Sequence, residues 1–89
     1  MKVRVSYKGF LSGLAGVSDE EVELEAGATV GCLLEQLALR HGESFRKAVM
    51  PGGSRGLVAL VSVDGAAAGL RDVLREGAHV LLVRAVGGG

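Results

Sequence analysis

The sequence predicts an α+β fold in which a mixed sheet of four or five strands carries one main helix across one face. Three observations lead there. Two alternating segments open the chain, a single strong amphipathic stripe follows them, and further apolar, strand-like runs close it. Strands on both sides of one helix favour a mixed sheet. The first and last strands are expected side by side at its centre, so that the C-terminal segment leaves from the sheet's end.

The first strand is KVRVSY. Val3, Val5 and Tyr7 share one face, and Lys2, Arg4 and Ser6 share the other. KGFLSGLAGVSD is too long for a tight hairpin and has room for a helical turn around Phe10, Leu11 and Leu14. EVELEA is the second strand, with Val22 and Leu24 inward. The acidic cluster Asp19, Glu20, Glu21, Glu23 and Glu25 reads as its solvated side.

The main helix is TVGCLLEQLALRHG. Thr29 is placed to accept the first free backbone donors as N-cap. Val30, Leu33, Leu34, Leu37 and Ala38 recur at helical spacing as one apolar stripe. Gly42 supplies a left-handed stop, and Gly31 in the first turn costs about 1 kcal/mol relative to Ala. ESFRKAV is a second short helical turn, followed by a loop punctuated by Pro51, Gly52 and Gly53.

LVALVSV has few polar positions. It is therefore a strand covered on both faces or lying beside a binding surface. Asp64-Gly65 turns the chain into a short strand. Leu70, Val73 and Leu74 are expected as inward anchors of an irregular stretch. HVLLVRAV is the last strand, with Val80 and Leu82 toward the helix and Leu81 and Val83 on the opposite side.

Composition narrows the function classes. Ten basic residues balance ten acidic ones, which leaves no electrostatic footprint for nucleic acid or an anionic membrane. One cysteine makes no internal disulfide or structural zinc site and points to a cytoplasmic setting. The apolar runs are too short to span a bilayer.

Catalytic constellations are missing. His41 and His79 are isolated, the first structural and the second solvated. Cys32 lies opposite the buried stripe near the helix N-terminus, where a thiol is acidified but here has no evident base. PGGSRG lacks the Lys-Ser/Thr ending of a phosphate loop and reads as a surface loop.

The chain ends in AVGGG. Five extended residues reach at most about 17 Å. Glycines let such a thread enter a channel too narrow for side chains. A free α-carboxyl titrates near about 3.5 and is ionised at neutral pH. It is a poor acyl donor until AMP from ATP converts it to a mixed anhydride. The catalytic groups then belong to a partner and the domain is the handle. This reading divides the chain into a domain over residues 1–86 and a glycine tail over residues 87–89. Leu81 and Val83, with Arg84 and Val86 beyond them, form the expected partner-binding edge. The exposed aliphatic face also suits self-association.

The order of these segments resembles the ubiquitin-like sulfur carriers of the β-grasp fold, namely the small subunit of molybdopterin synthase and the sulfur carrier of thiamin synthesis. FLSGLAG sits where the molybdopterin proteins have a turn between their first two strands. ATVGCLLEQLALRHG is similar to their helix, LVSVDG to their strand and hairpin turn, and LREGAHVLLVRAVGGG to their ending. Gly88 and Gly89 then match the family's terminal pair, and Gly87 its variable preceding position.

The resemblance implies that Gly89 is adenylated by an enzyme related to those that activate ubiquitin, and is then converted to a thiocarboxylate. It implies no cofactor on the carrier, ATP at the activating partner, and a sulfur-accepting partner such as a molybdopterin synthase large subunit. Arg84-Ala85 replaces the family's two prolines before the tail, and Glu76 its usual Asp. Molybdopterin synthesis stands first among the pathways. Carriers for tRNA thiolation, cysteine synthesis or protein conjugation remain open, as does an interaction domain whose tail is idle.

Overall fold

The computed structural model describes residues 1–49 and 59–83. Its elements are β1 (Lys2–Tyr7), α1 (Leu11–Ala15), β2 (Asp19–Glu23), α2 (Val30–His41), α3 (Glu43–Val49), β3 (Leu60–Val63), β4 (Ala66–Ala67) and β5 (His79–Val83). The sheet has five strands in the order β2-β1-β5-β3-β4. β1 and β5 run parallel at its centre, with Val5 beside Val80 and Tyr7 beside Leu82. The other pairings, β1–β2, β3–β5 and β3–β4, are antiparallel. The central placement of the first and last strands is as expected.

Alternation decides the layers. Val3, Val5 and Tyr7 of β1, Val22 of β2, Val61 of β3, and Val80 and Leu82 of β5 all turn to one side. There they meet Val30, Leu33, Leu34 and Leu37 of α2 in a single core. Thr29 caps α2 as expected, its hydroxyl accepting from the Cys32 N–H at 3.2 Å. The next free donors of the helix go to a neighbouring loop, Val30 N–H to Asp72 O and Gly31 N–H to Leu70 O, both at 2.9 Å. That approach explains Gly31, because a Cβ there would lie 3.2 Å from the Leu70 carbonyl oxygen.

Several sequence expectations shift. β2 begins at Asp19, earlier than the alternation over residues 21–26 suggests, and Leu24 is buried just beyond its end. Gly42 has φ of +100° but an extended ψ, so it ends α2 outside the left-handed helical well and starts α3 at once. α3 is longer than a single turn and buries Phe45, Ala48 and Val49. Val73 is not an inward anchor. It is 62% exposed, and Leu74 beside it is buried while Leu70 is half-buried against the core. The segment makes an isolated bridge between Thr29 and Val73, and this strand-like geometry sends adjacent side chains to opposite sides.

β3 is described from Leu60, with Ala59 buried before it. Leu57 and Val58, like the rest of the expected loop over Pro51, Gly52 and Gly53, lie outside the described residues. Within β3 only Val61 is fully inward. Leu60 is 72% exposed, so the strand lies beside an open surface and is not covered on both faces.

Candidate functional site: the open sheet face and the exit of the last strand

α2 covers one face of the sheet. The opposite face is built from the other parity of each strand, and the ladder places its residues in rows. Leu60 lies across from Val83, and Ser62 is flanked by Leu81 on one side and Ala67 on the other. Ser6 lies across from Leu81 on the β1 side. Leu60, Ser62, Ala67, Leu81 and Val83 line a shallow apolar depression of about 290 Å³. Leu81 and Val83 are half-buried there, whereas Val80 and Leu82 are fully enclosed on the helix side, as the alternation of β5 predicts.

The depression continues into a more polar one of about 560 Å³ lined by Ser6, Lys8, Ser62, Asp64, His79 and Leu81. His79 is exposed, as expected. Its Nε2 lies 2.8 Å from Ser6 Oγ, and its backbone N–H donates to Asp64 Oδ1 at 2.9 Å. Asp64 has φ of +51° and its own N–H returns to the His79 carbonyl. The turn predicted at Asp64-Gly65 is therefore locked to the start of β5.

The apolar half lies where β5 ends. Tyr7 is beside Leu82, and the Lys8 N–H donates to the Leu82 carbonyl at 3.0 Å, so β1 holds the last strand up to that point. Of the residues expected to bind a partner, Leu81 and Val83 come together on this face. Arg84 and Val86 lie outside the described residues, as do Gly87, Gly88 and Gly89 and the boundary drawn at residue 86. Leu60 was not among the expected site residues. Its signal was available, since it shares the parity of Ser62, the one polar position of the strand.

A second cluster was also missed. Glu20 has the same parity as Val22, and it therefore points to the helix side and not into solvent with its acidic neighbours. Its carboxylate accepts from the Tyr7 hydroxyl, from Arg40 Nη1 at 2.9 Å and from His41 Nε2 at 2.5 Å. A carboxylate only accepts, so Nε2 is the protonated nitrogen of His41. Burial works to raise the Glu20 pKa, but the hydrogen bonds from Tyr7, His41 and Arg40 outweigh it and hold the carboxyl below its ordinary range. Burial, and then the Glu20 carboxylate, push the Tyr7 phenol far above its ordinary range. The Tyr7 ring packs edge-on against His41 and Phe45, with centroids 5.8 and 5.7 Å away. His41 thus has the structural place expected of it.

Cys32 is exposed, as expected, and the Thr29 hydroxyl donates to its sulfur at 3.3 Å. That hydrogen bond holds the thiol below its ordinary pKa. No other candidate nucleophile or base is hydrogen-bonded to it among the described residues. Likewise, among the described residues no three His, Cys, Asp or Glu side chains gather as a metal site, and no helix is long and apolar enough to cross a membrane.

Comparison with known proteins agrees with this geometry. The sequence pattern described as the ThiS family matches residues 5–89. No curated protein matches significantly. A putative molybdopterin converting factor, subunit 1, from Pyrococcus furiosus is 33% identical, with a TM-score of 0.81 over 97% of this chain and 99% of its own. SAMP1 from Haloferax volcanii is 25% identical, with a TM-score of 0.84 over 100% of both chains. A chain of the BexX/CysO complex from Amycolatopsis orientalis is 26% identical, with a TM-score of 0.68 over 98% of this chain and 99% of its own. The mixed five-stranded sheet with α2 across it is the β-grasp, ubiquitin-like fold. The chain belongs to the ThiS family, among the ubiquitin-like sulfur carriers that its sequence resembles.

Proposed function

We propose that this protein is a sulfur carrier whose Gly89 carboxylate is activated by a partner enzyme and converted to a thiocarboxylate. The observation that carries the reading is the family match running through the final glycine, together with a last strand that ends beside an open apolar face. In the first step a carboxylate oxygen attacks the α-phosphorus of ATP, the bond to pyrophosphate breaks, and an acyl adenylate forms. In the second, a sulfide attacks the acyl carbon and AMP leaves. A persulfide serves equally when a thiol reduces the disulfide bond that results.

The carrier's own contribution is binding and presentation. Leu60, Leu81 and Val83 supply aliphatic area for the adenylating enzyme, and Arg84 and Val86, which follow in the sequence, contact the same partner. Gly87 and Gly88 thread the partner's channel. The carrier holds no cofactor, and ATP binds the activating enzyme. The setting is the cytoplasm. The Pyrococcus furiosus relative supports molybdopterin synthesis, with a molybdopterin synthase large subunit as sulfur acceptor. The BexX/CysO structure, a complex of two different proteins, supports a carrier that docks on a protein partner.

The test is intact mass of the full chain after incubation with a ubiquitin-activating-type adenylating enzyme, ATP and a sulfur donor. The expected product carries one sulfur in place of oxygen, located at Gly89 by fragmentation. Fragmentation also separates this product from oxidised Cys or Met, whose mass gain is similar. Deleting Gly89, or adding a residue after it, is expected to abolish the change while the thermal midpoint stays the same. Normal sulfur loading of the extended chain would overturn the reading.

A further inference from the structure

Glu20 and Tyr7 form a lateral chain that ends at β5. On α2, Arg40 and His41 grip Glu20 of β2, and Glu20 holds the Tyr7 hydroxyl. Tyr7 is the last residue of β1 and is 2% exposed. It stands beside Leu82, the last fully buried residue of β5, and the next residue, Lys8, bonds the Leu82 carbonyl. The core therefore fixes the end of β1 through a polar contact at the tip of Tyr7, and β1 in turn fixes the end of β5.

We propose that Glu20, acting through Tyr7, is a positioning residue that holds the end of β1 against Leu82 of β5 and so governs how the tail is delivered to the activating enzyme. The delivery half rests on the sulfur-carrier reading. The structural half does not. The ladder itself supplies an internal control. At the far end of the β1–β5 pairing, three residues before Tyr7, the Arg4 N–H donates to the Ala78 carbonyl at 2.9 Å, on the side of β1 that faces β5 and not β2.

The experiment compares Tyr7→Phe and Glu20→Gln with wild type in the full chain, by amide hydrogen exchange and by adenylation kinetics. Loss of a hydrogen bond to a charged acceptor is expected to speed exchange of the Lys8 amide about tenfold more than that of the Arg4 amide. The KM for the carrier is expected to rise severalfold with kcat preserved. Leu74→Ala serves as a destabilised control. Leu74 is buried near the start of α2, its N–H bonding the Ala28 carbonyl, and this variant is expected to leave that KM unchanged.

Equal acceleration at Lys8 and Arg4 would mean general loosening and would overturn the proposal. So would a KM rise in Leu74→Ala matching that of Tyr7→Phe. If wild type takes no AMP at all, the sulfur-carrier reading and the delivery half fail together, and the exchange comparison decides the structural half alone.

Discussion

Leu60 of β3 and Val83 of β5 stand opposite each other on one antiparallel rung, on the sheet face that α2 does not cover. One residue opens its strand and the other ends its own. Leu81, two residues before Val83 on the same face, extends the patch toward Ser62.

If this patch docks the activating enzyme, Leu81→Asp is expected to weaken binding by about 2 kcal/mol or more, as for an anchor near an interface centre. Leu60→Glu, at a residue that is mostly exposed, is expected to weaken binding while leaving the unfolding midpoint nearly unchanged. Isothermal titration with the partner, beside a thermal melt of each variant, checks both.

Glu20 gives a pH-dependent prediction. Its carboxyl is held below its ordinary range in the folded protein, while an unfolded Glu titrates near about 4.3. Its stabilisation is therefore complete above that value and is lost as pH falls through the lower folded value. Glu20→Gln is expected to cost about 2 kcal/mol at pH 7, and the gap to wild type should narrow under strongly acidic conditions. Urea unfolding across the acid range checks the sign.

Thr29 serves two atoms of one residue, accepting the Cys32 N–H and donating to its sulfur. Thr29→Ala is expected to cost about 1 kcal/mol through the lost cap. It should also raise the thiol's pKa, which the pH dependence of alkylation by iodoacetamide reports.

Neighbouring residues 73 and 74 should respond in opposite ways. Leu74→Ala is expected to cost about 2–5 kcal/mol as a core truncation. Val73→Ala, at an exposed side chain, should stay within about 0.5 kcal/mol. Denaturant melts of the two variants make the comparison.

That pair also shows where sequence reasoning stops. Strict alternation in β1 and β5 and the helical stripe of α2 place Val3, Val5, Tyr7, Val80, Leu82, Val30, Leu33, Leu34 and Leu37 in the core, because each pattern has one period and one apolar face. The stretch around Val73 has no period. Which of two adjacent apolar residues turns inward depends there on the backbone bridge to Thr29. Glu20 was legible by parity with Val22, but its charge masks it. A carboxylate facing the helix side is tolerable only because Tyr7, Arg40 and His41 arrive from elsewhere in the chain to meet it. The open sheet face was partly legible. Leu81 and Val83 follow from the alternation of β5, whereas the only sequence signal for Leu60 is its shared parity with Ser62, and the burial of Val61 in β3 makes that signal plain.

The parallel pairing of β1 with β5 bears on biosynthesis. The middle of the sheet is made from the first and the last of the described strands, so during synthesis β1 has no central partner until β5 emerges. A polypeptide cut short before His79 lacks that partner and cannot close its core. Folding thus acts as an inspection step, and translation must reach β5 before an assembled domain can exist.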